Sequence, residues 1–263
     1  MADQKFPQLS DYGSDELIYM ADEHDDQAFA VAFGNHPDMI NEGDFFEIIT
    51  GIDDPFANMA FGMTVRDAEN RVKSITSKLE KHKVPGYFWV GPCTKPANLE
   101  DLLLQNGWNY LASPPAMAVD LALLGSAPEV SGLELRRVVT NEDYERWKET
   151  VAAGFKLPLN VAQLFQKPKD DSVRFYTALL DGQPVGTTAM VIVNGVPGIY
   201  CVSTLPEFRR RGIGAVLTTL PLLDARAEGY QMATLQSSVM GYPIYTKLGF
   251  REVCKLKMFG FGL

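Results

Sequence analysis

The sequence predicts an α/β (α+β) fold built as two mixed-sheet domains in tandem. Three observations predict it. Strand-like and helix-length segments are interleaved along the whole chain. A small polar segment broken by Pro128, GSAPEVSG (Gly125 to Gly132), divides the chain near its middle. The two halves also close on the same pattern, which points to an internal duplication.

The elements follow in order. In the first half, FFEIIT, MAFGMTV, GYFWVG and AMAVDL read as strands, with VRDAENRVKSITSKLEKH and ANLEDLLLQNG as helices. In the second half, LELRRVV, VRFYTALL, VGTTAMVIV, IYCVSTL, MATLQSS and VCKLKMF read as strands, with NEDYERWKETVAAGF and GAVLTTLPLLDARAEG as helices. The halves end alike. LLLQNGW leads into one strand, NYLASPPAMAVDL, and IYTKLGF leads into another, REVCKLKMFGF. In both, a short helix stops at a glycine suited to a C-cap, and an aromatic residue follows. Gly107 and Gly249 are as far apart as Trp108 and Phe250, which places Leu103 opposite Tyr245. The expected organisation is a degenerate copy over 1–124, a linker at 125–132 and a complete copy over 133–263.

Composition limits the function. The chain has 263 residues, 46% of them hydrophobic, and a formal net charge of −9. So acidic a chain lacks the broad cationic face that nucleic acid requires, and it favours a cationic small molecule if anything. No apolar run approaches the roughly 18 residues of a membrane span. The opening segment, MADQKFPQLSDYGSDELIYM, has no leader pattern. Cys93, Cys201 and Cys254 are odd in number and widely spaced, so neither a disulfide framework nor a metal site is expected, and a cytoplasmic setting fits. His24, in ADEHDDQ, reads as part of a solvated acidic helix end rather than a metal ligand.

The most basic run is Arg209-Arg210-Arg211-Gly212-Ile213-Gly214-Ala215, between a strand and a helix. Amides at a helix start lack intrahelical acceptors and face outward with the positive end of the dipole. Glycines let a phosphate approach that backbone, and arginines add charge-assisted contacts. A P-loop needs a Lys-Ser/Thr pair that is missing here, and a Rossmann fingerprint needs a third glycine where Leu217 stands. The pattern [Q/R]-x-x-G-x-[G/A] fits in full.

With that run, VSTLPEFRRRGIGAVLTTLPL and MATLQSSVMGYPIYTKLGF resemble the GNAT superfamily of acyl-CoA N-acyltransferases, from about Leu133 onward. The resemblance implies acetyl-CoA as acyl donor, no metal, and the amine of a small molecule or peptide as acceptor. It implies that the backbone from Arg210 through Ala215 (Arg210, Arg211, Gly212, Ile213, Gly214, Ala215) cradles the pyrophosphate, with Arg209 and Arg211 contributing side chains. It places Val202, Ser203 and Thr204 along the pantetheine arm, with a backbone N–H near Val202 as oxyanion donor. It makes Tyr245 the general acid for the departing thiolate. Ser238 and Gly241 stand where many relatives have Asn and Ala, and Ser238 is expected to contact the cofactor arm. Cys201 is expected to be a packed strand residue. Phe155 and Phe165 are candidates for the acceptor wall or for the core, and no general base is visible. The alternative reading is a non-catalytic acyl-CoA-binding or sensing module.

Overall fold

The computed structural model describes residues 6–34 and 36–263. Residues 1–5, where the segment without a leader pattern begins, lie outside the described residues.

In chain order the first half forms helix α1 (Ser14–Phe33), strands β1 (Met39–Asn41), β2 (Phe46–Ile49) and β3 (Asn58–Phe61), helix α2 (Ala68–His82), strand β4 (Gly86–Val90), helix α3 (Leu99–Gln105), and strands β5 (Asn109–Ala112) and β6 (Pro115–Asp120). The second half forms β7 (Leu133–Arg137), helices α4 (Asn141–Phe155) and α5 (Leu159–Ala162), strands β8 (Val173–Leu180), β9 (Gln183–Val193) and β10 (Val196–Thr204), helix α6 (Ile213–Ala227), β11 (Met232–Gln236), helix α7 (Tyr242–Lys247), and β12 (Arg251–Lys255) and β13 (Lys257–Phe261).

Local chemistry explains the clearest of these. In α2, Val72, Ile75, Thr76 and Leu79 recur at helical spacing and are buried. Helix α4 opens on a capping box, in which Thr140 accepts from the Asp143 amide and Asp143 accepts from the Thr140 amide. Strand β8 is buried along nearly its whole length, as a strand covered on both faces must be.

Two mixed sheets result. One runs β1-β2-β3-β4-β13-β5, the other β12-β6-β11-β10-β9-β8-β7. In each, one central pair is parallel, β3 with β4 and β10 with β11, and the other pairs are antiparallel. The two sheets share one plan, α2 following β3 as α6 follows β10, and α3 following β4 as α7 follows β11. The helices behave alike at their ends. Trp108 and Phe250 are each 2% exposed, one after Gly107 and one after Gly249.

The chain ends of the two halves differ from expectation. NYLASPPAMAVDL is not one strand, because Ser113 and Pro114 separate β5 from β6. REVCKLKMFGF is not one strand either, because Leu256 separates β12 from β13. Each break lets the chain cross between sheets. Strand β6 enters the seven-stranded sheet between β11 and β12, and β13 enters the six-stranded sheet between β4 and β5. Proline lacks the donor a continuing ladder needs. At the crossing the Leu256 amide donates to the Pro114 carbonyl at 3.0 Å. The halves are thus interlocked by backbone pairing.

Candidate active site

Strands β10 and β11 begin together and then part. Their paired steps are Gly198 opposite Thr234 and Ile199 opposite Leu235. On the other side of β10, Tyr200 opposes Ala189 and Ser203 opposes Thr187, so Cys201 and Val202 face a single residue. This is a β-bulge, and Cys201 takes φ 52° within it. The bulge follows the last paired step of β10 with β11, so Val202, Ser203 and Thr204 have no ladder partner on β11. Cys201 is half-buried, and burial pushes its thiol up to about 12. That is an inert packed cysteine rather than a nucleophile.

Ser203 is committed to the fold. Its hydroxyl lies 2.8 Å from that of Thr187, and α4 approaches so closely at Gly154 that a Cβ there would strike the serine. Thr204 lends its carbonyl to Arg209.

Beyond Thr204 the chain turns into α6. Gly212 is the N-cap at φ 85°, a conformation that strains L side chains. A Cβ there would also lie 3.1 Å from Pro128, so the linker covers one side of the turn. Ala215 and Val216 donate to the Gly212 carbonyl. Among the described residues, the amides of Arg210, Arg211, Gly212, Ile213 and Gly214 have no acceptor. Five amides without an acceptor at a helix start have the chemistry that suits an anion.

The three arginines divide their work. Arg209 donates from Nε to the Thr204 carbonyl at 3.0 Å and from NH2 to the Gly154 carbonyl at 3.2 Å. Arg211 donates to the Glu207 carbonyl at 3.4 Å and lies over the Phe208 ring. Their guanidiniums brace the loop. The exposed Arg210 makes no hydrogen bond or ion pair with the described residues and is the charge left for a ligand.

Tyr245 lies on α7, 7% exposed and against Phe250. Gly241 stands directly beneath its ring, where a Cβ would lie 2.5 Å from Cε2. Burial pushes the phenol up to about 12. The phenol therefore keeps its proton, but it is a weaker acid than a thiol of about 8.5. Full transfer to a free thiolate would be uphill, so donation has to accompany C–S cleavage while the sulfur is still desolvated. Ser238 is exposed, and its Oγ accepts from the Gly241 amide at 3.1 Å. It holds the turn that leads into α7.

Of the acceptor-wall candidates, Phe165 stacks on Phe33 and meets Trp147 edge-on within a core cluster, while Phe155 is 44% exposed. Sequence reasoning misplaced His24. It is buried, with Asp22, Asp25 and Asp26 beside it, against the sheet at Tyr200. The clue was the length of the pattern. Ser14–Phe33 is one helix whose small residues Ala21, Ala28 and Ala30 let it pack closely. Among the described residues, no helix is long and apolar enough to cross a membrane, and no cluster of His, Cys, Asp and Glu has the form of a metal site.

Residues 171–252 match the family model for the acetyltransferase (GNAT) domain. No curated protein matches the chain. Among solved structures, a GCN5-related N-acetyltransferase from Kribbella flavida is 21% identical with a TM-score of 0.66, covering 93% of this chain and 95% of its own. One from Sphaerobacter thermophilus is 15% identical with a TM-score of 0.58, covering 97% and 94%. A functionally unknown conserved protein from Staphylococcus epidermidis is 12% identical with a TM-score of 0.54, covering 85% and 92%. In each the likeness extends over most of both chains.

Proposed function

Since the chain belongs to the GNAT superfamily through the domain at residues 171–252, we propose that it is an acetyl-CoA-dependent N-acetyltransferase. The acceptor is a primary amine of a small molecule or peptide, which attacks the thioester directly. The observation that carries this is the parting of β10 from β11 above five unclaimed amides at the start of α6.

The residues fit the donor. The amides of 210–214 suit a pyrophosphate, and Arg210 adds one mobile charge. The edge of β10 at Val202 to Thr204 suits an amide-bearing arm that pairs as an added strand. When bound, acetyl-CoA supplies an activated acyl group. A backbone N–H near Val202 would serve as oxyanion donor to the thioester oxygen, a role worth about 10²–10³ in rate for one donor. Tyr245 would deliver the proton to sulfur. We assign 1–124 and 133–263 to the two copies, joined by 125–132, and place the chemistry in the second. Free cysteines at 93, 201 and 254 fit the reducing cytoplasm.

The test is release of free CoA from acetyl-CoA with a broad amine panel, alongside calorimetric binding of acetyl-CoA. Binding with turnover supports the enzyme, and absence of both sinks it. Binding without turnover favours a sensing module, a reading supported by the deep burial of Tyr245 and the bond of Ser238 to the turn before α7.

A further inference from the structure

Strand β9 carries two adjacent threonines, Thr187 and Thr188, and both are 0% exposed. A buried hydroxyl needs a partner within the protein. Both find theirs on the bulge of β10. Thr187 Oγ1 donates to the Cys201 carbonyl at 3.0 Å, and Thr188 Oγ1 donates to the Tyr200 carbonyl at 3.4 Å. Consecutive carbonyls of a regular strand point to opposite edges. Here both are held from β9, as the left-handed conformation of Cys201, φ 52°, allows.

Thr187 makes the shorter bond, and its hydroxyl is itself fixed. It lies 2.8 Å from the Ser203 hydroxyl. The Thr187 proton goes to the Cys201 carbonyl, which only accepts, so Ser203 donates to Thr187. Ser203 is 6% exposed and closely packed. A Cβ on Gly154 would lie 2.4 Å from its Oγ, and a Cβ on Gly186 would lie 2.5 Å from its carbonyl oxygen. Ser203, Thr187 and the Cys201 carbonyl therefore form one buried relay, with two glycines admitting it.

The peptide that Thr187 holds is the one that carries the Val202 amide. A trans peptide is planar, and its N–H points opposite to its C=O. The Cys201–Val202 bond is trans. With the carbonyl drawn toward Thr187, the Val202 N–H points away from β9. On that side β11 has ended its pairing, at Ile199 opposite Leu235. The extra residue of the bulge thus leaves this N–H without a ladder partner on β11.

We propose that Thr187 is a positioning residue of the active site, whose hydroxyl sets the plane of the Cys201–Val202 peptide and with it the direction of the oxyanion donor. The proposal rests on the acetyltransferase reading for the thioester that this N–H meets. Thr187 acts through the peptide it holds and not on the reacting atoms. An oxyanion donor is effective when it needs no reorientation as charge develops. A hydroxyl locked by Ser203 supplies that rigidity. Packing alone does not call for the hydroxyl, since valine has nearly the same shape.

The test compares wild type with Thr187→Val, Thr187→Ala and Thr187→Ser in the full chain. The readout is the infrared stretch of the thioester carbonyl in bound acetyl-CoA, labelled with heavy carbon at that position. The stretch falls in frequency as hydrogen bonding to the oxygen strengthens. Thr187→Val and Thr187→Ala should both raise it above the wild-type frequency, and Thr187→Ser, which keeps the hydroxyl, should restore it. Calorimetric affinity for acetyl-CoA should stay within about twofold in all three. With any amine that wild type acetylates, the Val and Ala variants should lose about tenfold or more in kcat with KM little changed. Melting curves report folding, and should Thr187→Val not fold, Ala against Ser decides. The proposal is overturned if the stretch in Thr187→Val equals that of wild type, or if Thr187→Ser behaves as Thr187→Ala does. Failure of wild type to bind acetyl-CoA strikes the acetyltransferase reading instead. Ligand-free crystal structures of wild type and Thr187→Val then decide: a Cys201–Val202 peptide that turns without the hydroxyl supports the proposal, and one that keeps its direction overturns it.

Discussion

The Tyr200 hydroxyl of β10 donates to His24 Nδ1 of α1 at 2.9 Å, joining two halves of the chain at the fork of the candidate active site. Gly198, two residues before Tyr200, leaves the space the two rings occupy, and any Cβ there would strike the imidazole. The contact fixes where α1 lies on the sheet, and with it where the buried carboxylates point. Several outcomes follow from this geometry.

Stability should fall as pH rises. Burial, with Asp22 adding like charge, pushes Asp25 from its ordinary 3.8 up to about 8. The groups facing it are Asp22, His24 and Asp26 of its own helix, Tyr200 of β10, Gln236 of β11 and Cys254 of β12. A carboxyl raised on folding binds its proton more tightly in the native state. It contributes stability below its unfolded value, and that contribution is lost as pH rises through the folded value. The loss is about 1.4 kcal/mol per pH unit while only the native state holds the proton. Denaturant melts of Asp25→Asn across pH 4 to 8 should show a visibly flatter decline than wild type.

Tyr245→Phe should separate binding from chemistry. Acetyl-CoA affinity stays within about twofold, while kcat falls about 10²–10³, in the range of one general acid. Calorimetry and a free-thiol assay on one preparation measure both, and an unchanged kcat removes Tyr245 from the mechanism.

Arg209 and Arg210 should differ in kind. Arg209→Ala releases the carbonyls of Thr204 and Gly154, lowering the melting temperature and weakening acetyl-CoA by loosening the loop. Arg210→Ala leaves melting unchanged and weakens binding in a salt-dependent manner, since its side chain is exposed and unbonded. Melting curves and titrations at two ionic strengths distinguish them.

Gly212→Ala should weaken acetyl-CoA by about tenfold, because a residue forced into the left-handed region costs about 1–2 kcal/mol. The new methyl also presses on Pro128 at 3.1 Å. Titration calorimetry reads the affinity, and a wild-type value would show that the turn relaxes freely.

One acetyl-CoA should bind per chain. The first half has its own parallel pair, β3 with β4, but the gap beyond it is bridged. Thr64 pairs with Lys95, the Val65 amide donates to the Lys95 carbonyl at 2.8 Å, and the Lys95 amide donates to the Met63 carbonyl at 2.9 Å. The backbone that would receive a pantetheine arm is already paired. A calorimetric stoichiometry near two would contradict this.

Much of the fold was legible in the sequence because local signals coincided. Helix α4 runs over NEDYERWKETVAAGF with its capping box, and VRFYTALL is β8 residue for residue. The glycine-rich turn before α6 declared itself because few other residues accept φ 85° at a helix start. The arginines were less legible. Charge suggested that Arg209 and Arg211 reach a ligand, whereas the fold spends both on carbonyls of its own backbone. The bulge at Cys201 left no periodic signature, since one extra residue in a strand alters alternation only locally.

By itself the sequence determined most of the elements, the repeated plan and the glycine turn before α6, because each depends on residues close together in the chain. Tertiary structure alone decided that β6 and β13 exchange sheets and that an acidic stretch near the start is buried against the seven-stranded sheet. The physical reason is that Asp22, His24, Asp25 and Asp26 are polar by composition, and only the packing of α1 on a distant sheet takes them out of water.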